Sequence, residues 1–187
     1  SQSTSYQQLY GTCQFERTQD GWVQKVNNAN FNAHCVPPTT SGYVGQQRTI
    51  TAVPDNIVSP GYIRNQLFND GDDHWQLPVG SILVSAENSA KFGNLPYVEF
   101  TGVVSQPLVT VPAGRYRLQF EFEVTSHMNI KVFSPRDGIT LYEGGLDPQS
   151  NIHAFTEFFE TPADDITVEF ASTSVARITE ISLVPWQ

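Results

Sequence analysis

The sequence predicts an all-β protein, an antiparallel β-sandwich in a single domain, and three observations carry that prediction. Strand and turn formers dominate: 187 residues hold 12 Phe, 7 Tyr, 13 Gly and 12 Pro, while Asp, Glu, Lys and Arg together make up only 16%. Tyr116, Leu118, Phe120, Phe122 and Val124 alternate with Arg115, Arg117, Gln119, Glu121 and Glu123, the period of a strand with one buried and one wet face. Turn signals recur along the second half at roughly ten-residue intervals, the spacing of a sandwich. A chain of this length buries roughly 70% of its unfolded surface and needs no disulfide or metal to hold a core.

Taken in order, residues 1–10 form a polar N-terminal arm and residues 11–187 the domain. The loop-rich first part carries candidate strands from Gln7 to Phe15, Gly21 to Val26 and Gln47 to Ala52, broken by Asn27-Asn28, Pro37-Pro38 and Pro54-Asp55-Asn56. Asn69-Asp70-Gly71-Asp72-Asp73-His74-Trp75 reads as a solvated acidic loop holding one large aromatic. Strands near Ser81 to Ser85 and Tyr97 to Thr101 follow, then the Tyr116 to Val124 strand. Ile130 to Phe133, His153 to Phe159, Ile166 to Phe170 and Arg177 to Val184 complete the set. They are separated by Pro135-Arg136-Asp137-Gly138, Gly144-Gly145, Pro162-Ala163-Asp164-Asp165 and Ser172-Thr173-Ser174. Trp22 and the strand phenylalanines, Phe133 and Phe158 among them, are assigned to the core.

Charge narrows the partners. With 10 Lys and Arg against 19 Asp and Glu, the formal charge is −9, and the basic footprint of a nucleic-acid or anionic-membrane binder is missing. No run approaches the ~18 apolar residues of a membrane span, so membrane insertion is not expected. The polar start also lacks the n- and h-regions of a signal peptide. Cys13 and Cys35 could close one loop or stay as buried thiols; they have no Cys-x-x-Cys spacing for zinc or redox work. His34, His74, His127 and His153 show no i, i+4 pairing, and neither Gly-x-Ser-x-Gly nor a phosphate loop occurs. Glu121, Glu123, Glu157 and Glu160 could supply a glycosidase pair in principle, but alternating charges on a wet strand face are ordinary, and no enzymatic activity is expected.

The run Val104-Ser105-Gln106-Pro107-Leu108-Val109-Thr110-Val111-Pro112-Ala113-Gly114-Arg115-Tyr116-Arg117-Leu118-Gln119-Phe120 resembles the middle signature of galactose-binding-like jelly rolls. These include the carbohydrate-binding modules of cellulases and xylanases. Gly11-Thr12-Cys13-Gln14-Phe15-Glu16 with Asp20-Gly21-Trp22 is similar to the opening motif of such domains, and Ile178-Thr179-Glu180-Ile181-Ser182-Leu183 to their closing strand. The resemblance implies a jelly-roll β-sandwich and a non-catalytic carbohydrate-binding module. It also implies a ligand lying across a concave sheet face, with Arg117, Gln119 and Glu121 as floor and Trp75 and Tyr62 as walls. Members of the family often hold a structural Ca²⁺ between the opening Glu and a closing Asp. Here Glu16 matches the first, but Thr179 replaces the second, which lowers the ligand charge.

Two functions follow as expectations. One is glycan binding through an aromatic plate and planar hydrogen-bonding groups. The other is a virion decoration, fibre or tail protein docked on a capsid or cell-surface partner as a possible homotrimer. A polar start and an end just after the last strand, at Pro185-Trp186-Gln187, suit the second. Either places the chain outside the cell or on a virion surface.

Overall fold

A computed structural model describes residues 14–25, 61–84, 92, 95–162 and 164–186. The arm over residues 1–10, Cys13, Cys35 and the expected strand from Gln47 to Ala52 lie outside them. Among the described residues there is no helix, hence none long and apolar enough to cross a membrane. Nine strands occur there: β1 (Gln14–Thr18), β2 (Gly21–Gln24), β3 (Ile82–Val84), β4 (Tyr97–Leu108), β5 (Gly114–Val124), β6 (Met128–Ser134), β7 (Ile139–Leu146), β8 (Gln149–Thr161) and β9 (Ile166–Pro185).

Strand β5 sets the pattern for the rest. Tyr116, Leu118, Phe120, Phe122 and Val124 are buried, while Arg117, Gln119 and Glu121 stay half exposed between them, as the alternation predicts. All pairings between these strands are antiparallel, in the order β2-β1-β3-β4-β9-β5-β8, with β6 joining β7 to β9. Strand β9 serves two layers. Ile166 to Ser172 run between β4 and β6, whereas Ala176 to Pro185 run against β5. Side chains from the two layers meet in one core: Phe120 of β5 packs edge-on against Phe170 of β9 with centroids 5.0 Å apart, and Tyr142 of β7 reaches Phe155 of β8 at 6.1 Å. The result is an antiparallel jelly-roll β-sandwich.

Four expectations are corrected. Ser172-Thr173-Ser174 does not end a strand; it forms a bend inside β9, where pairing jumps from Gly102↔Ser172 to Phe100↔Ala176. The bend is held by the Ser172 hydroxyl, which donates to the His127 carbonyl at 2.8 Å, and by the Ser126 amide, which donates to Ser174 Oγ at 3.0 Å. Gly144-Gly145 is not a break but part of β7. A Cβ at Gly144 would overlap the Tyr142 hydroxyl, so glycine makes room there for a neighbouring ring rather than for a turn. The acidic loop is not solvated throughout, because Asp72 is buried and accepts from Arg17 Nε at 3.1 Å, fastening the loop to β1. Finally, Phe158 lies outside the core at 36% exposure and Phe133 is only half-buried, while Trp22, as expected, packs against the core with its ring partly covered.

Candidate functional site

Strand β5 lies between β8 and β9, so each of its outward side chains has a cross-strand neighbour on either side, on the same face. Arg117 stands opposite Phe158 and Val184, Gln119 opposite Thr156 and Ser182, and Glu121 opposite Ala154 and Thr179. These residues enclose an open depression of about 260 Å³ lined by Arg117, Gln119, Phe120, Glu121, Ala154, Glu180 and Ser182. Its shape depends on a bulge. Between Gln119↔Ser182 and Glu121↔Thr179 β9 carries one residue more than β5, and Glu180 takes the left-handed φ of 54° that lets it face the depression.

The two ends of this surface differ in chemistry. At one end, the Arg117 guanidinium lies 4.7 Å from the Trp186 ring centre, Trp186 meets Phe158 at 5.6 Å and 49°, and Arg115 lies 5.2 Å over Phe158. The Trp186 amide donates to the Arg115 carbonyl at 2.9 Å, which ties the tryptophan to β5. Trp186 is 41% exposed. Arg117 Nε is buried with no hydrogen-bond partner among the described residues. At the other end, burial and then the neighbouring Glu180 carboxylate hold the Glu121 carboxyl above its usual pKa. Beyond it Arg177 bridges Glu99 at 2.7 Å and Glu123 at 2.5 Å, and a small apolar cluster of Val84, Phe92 and Tyr97 packs with Leu95 and Ile152.

The structure thus brings Arg117, Gln119 and Glu121 together and leaves the two expected walls elsewhere. Trp75 has 0% exposure: its indole N–H donates to the Asn65 carbonyl at 2.8 Å, and its ring packs on Phe68 at 5.1 Å and Phe170 at 6.4 Å. Tyr62, 2% exposed, lies edge-on to Tyr116 at 5.9 Å. Neither ring has a face to offer a ligand. The loop turns inward because Asn65 satisfies it locally, donating to the Gly71 and Asp73 carbonyls and accepting from the Asp70 amide, each at 3.0 Å. That frees the aromatic to close one end of the core.

The metal expectation fails on geometry as well. Glu16 sits on β1 and Thr179 on β9, with β3 and β4 between them in the sheet. Three strand spacings, about 14 Å along the sheet, are too far for one ion to span. The buried Thr179 hydroxyl donates instead to the Pro96 carbonyl.

Phe158, Trp186, Glu180 and Ser182 are the site residues missed by sequence reasoning. For Phe158 the signal existed: adjacent Phe158 and Phe159 cannot both face inward in one strand, and Phe155 with Phe159 fixes the inward set. For Glu180 no signal existed, because its orientation comes from the bulge.

No family model matches the chain, and no curated protein matches it. Solved structures do resemble it. TmCBM61 in complex with beta-1,4-galactotriose matches at 18% identity with a TM-score of 0.53, over 67% of this chain and 98% of that one. A structure described as "CBM4 structure and function" matches at 11% identity and a TM-score of 0.40, over 65% of this chain and 84% of the other. The enzymatically active domain of bacteriophage CBA120 tailspike protein 4 matches at 12% identity and a TM-score of 0.48, over 66% of this chain and 21% of that one. The first of these likenesses shows a shared fold, the jelly roll of a carbohydrate-binding module.

Proposed function

We infer that this chain, a jelly roll of the carbohydrate-binding-module kind, binds a saccharide on the outward face of β5, β8 and β9 without turning it over. One observation carries the reading: Arg117, Gln119 and Glu121 floor a single depression that adjoins the exposed pair Trp186 and Phe158. A pyranose has an apolar C–H face and a rim of hydroxyls, and this surface is complementary to both. The aromatic rings supply a stacking plate, Arg117 donates, Glu121 and Glu180 accept, and Gln119 and Ser182 do either. Hydrolysis needs carboxyl groups on both sides of the scissile bond, at about 5 to 9.5 Å. In this reading Glu121 and Glu180, on adjacent strands in the lining of the depression, serve as hydrogen-bonding groups.

Titration calorimetry against beta-1,4-galactotriose and a series of gluco-oligosaccharides tests the reading. Arg117→Ala and Trp186→Ala should each weaken binding about tenfold or more, or about 1.4 kcal/mol, with the melting temperature unchanged. An array of glycans with no ligand, together with a stable trimer in solution, would replace this reading with the assembly one.

A further inference from the structure

We propose that the saccharide bound on this face carries one carboxylate, as a uronic acid does, held at the Trp186 end by Arg115 and Arg117; this rests on the binding surface inferred above and names the chemistry of its ligand. The two arginines stand on one face of β5, two residues apart and so about 7 Å along the strand. An exposed aromatic pair links them: Arg115 lies 5.2 Å over Phe158, Phe158 meets Trp186 at 5.6 Å, and Arg117 lies 4.7 Å from the Trp186 ring centre. Two cations thus share one stacking plate.

What these arginines lack is a carboxylate. Elsewhere Arg17 pairs with Asp72, Arg136 with Asp137, Asp164 and Asp165, and Arg177 with Glu99 and Glu123. Acidic residues outnumber basic ones 19 to 10, so carboxylates are in excess. Even so, among the described residues no ion pair or hydrogen bond reaches the side chain of Arg115 or Arg117, although Glu160 stands opposite Arg115 in the β5–β8 register. Arg117 Nε is moreover buried without a partner. An anion drawn to this guanidinium balances a charge already partly withdrawn from water, which a neutral sugar leaves unbalanced.

The ring contacts hold each guanidinium in place, so little side-chain freedom is lost when its fork of N–H donors takes a planar carboxylate. The pyranose that carries the carboxylate still offers its C–H face to Trp186 and Phe158. The rest of the floor restricts the charge to this end. Glu121 is four residues from Arg117 along β5, about 13 Å, and Glu180 enters from β9 at the register between Gln119 and Glu121. A second carboxylate further along the ligand meets these glutamates, and like charges repel. The surface therefore selects a saccharide with an acidic unit at one end and neutral units beyond it, and it disfavours a uniformly acidic polymer, as the net charge of −9 also does.

The test is a panel of oligosaccharides in matched pairs, each neutral gluco- or galacto-oligosaccharide set against the same chain with one end unit oxidised at C6 to its uronic acid, with oligogalacturonate as the uniformly acidic member. Calorimetry should show the singly acidic member binding about tenfold or more tighter than its neutral match, and oligogalacturonate binding more weakly than the singly acidic one. Arg115→Gln and Arg117→Gln should each bring the acidic-to-neutral affinity ratio toward one. Because that ratio compares two ligands on one variant, a general loss of binding or stability does not mimic the effect, and the exposed Arg115 decides the matter if Arg117→Gln folds poorly. Arg117→Lys, which keeps the charge without the fork, should retain part of the preference. Neutral members that bind as well as or better than their acidic matches, or a preference that survives both Gln variants, overturn the proposal while leaving the binding surface standing. Failure of every member, acidic and neutral alike, overturns the binding reading and this proposal with it.

Discussion

Phe120 lies at the centre of the core, stacked on Phe155 at 4.7 Å, edge-on to Phe170 at 5.0 Å and beside Phe122 at 5.9 Å. Its neighbour Gln119 points the other way, into the depression. The two therefore differ in what their removal costs. Phe120→Ala should lose about 3 to 5 kcal/mol in urea unfolding, and Gln119→Ala should stay within about ±0.5 kcal/mol. Comparable losses would mean that the inward and outward sets of β5 are wrongly assigned. Tyr116 marks the same inward set: its hydroxyl donates to the Pro112 carbonyl at 2.5 Å, and burial, with Tyr62 beside it, pushes its pKa up to about 12. Trp75 obeys the same logic as Phe120, since a fully buried ring contributes to stability and not to ligand contact.

Strand β9 is the element on which both fold and site depend, and the two irregularities in it do different work. The bend at Ser172 to Val175 passes the strand from one layer to the other; the bulge at Glu180 shapes the depression. Glycine adopts a φ of +54° without the penalty that a Cβ brings, so Glu180→Gly should keep or raise the melting temperature while weakening saccharide binding. A fall in both would make Glu180 a structural residue. These irregularities also explain what could be read in advance. Strand β5 was legible because its alternation is uninterrupted, and its outward Arg117, Gln119 and Glu121 were legible with it. The length of β9 was hidden by a serine-rich bend whose hydroxyls satisfy the backbone, and β7 by glycines that make room for the Tyr142 ring and His127. The acidic loop misled for a similar reason: Asn65 bonds its backbone and the Arg17–Asp72 pair fastens it to β1, so its aromatic turns inward.

At the scale of the whole molecule, the net charge of −9 means that acidic groups dominate the pH response, and the unpaired end of the depression contributes with a definite sign. Glu121 has a folded-state pKa raised above the usual 4.5, so the folded chain binds this proton more tightly than the unfolded one. Its stabilising contribution is full below about 4.5 and is lost as pH rises through the higher folded value. Relative to Glu121→Gln, in which the other groups cancel, the wild type should lose melting temperature as pH is raised across that window; a constant difference would deny the shift. The central claim is that a jelly roll presents a saccharide-binding face on β5, β8 and β9, with its loop aromatics locked in the core. The most direct measurement is a backbone amide NMR titration with an oligosaccharide that binds. The account predicts shifts confined to Arg115–Glu121, Ala154–Phe158 and the stretch from Glu180 through the end of β9 to Trp186, with residues 61–80 unmoved; shifts centred on Tyr62 and Trp75, with the β5 face silent, would contradict it.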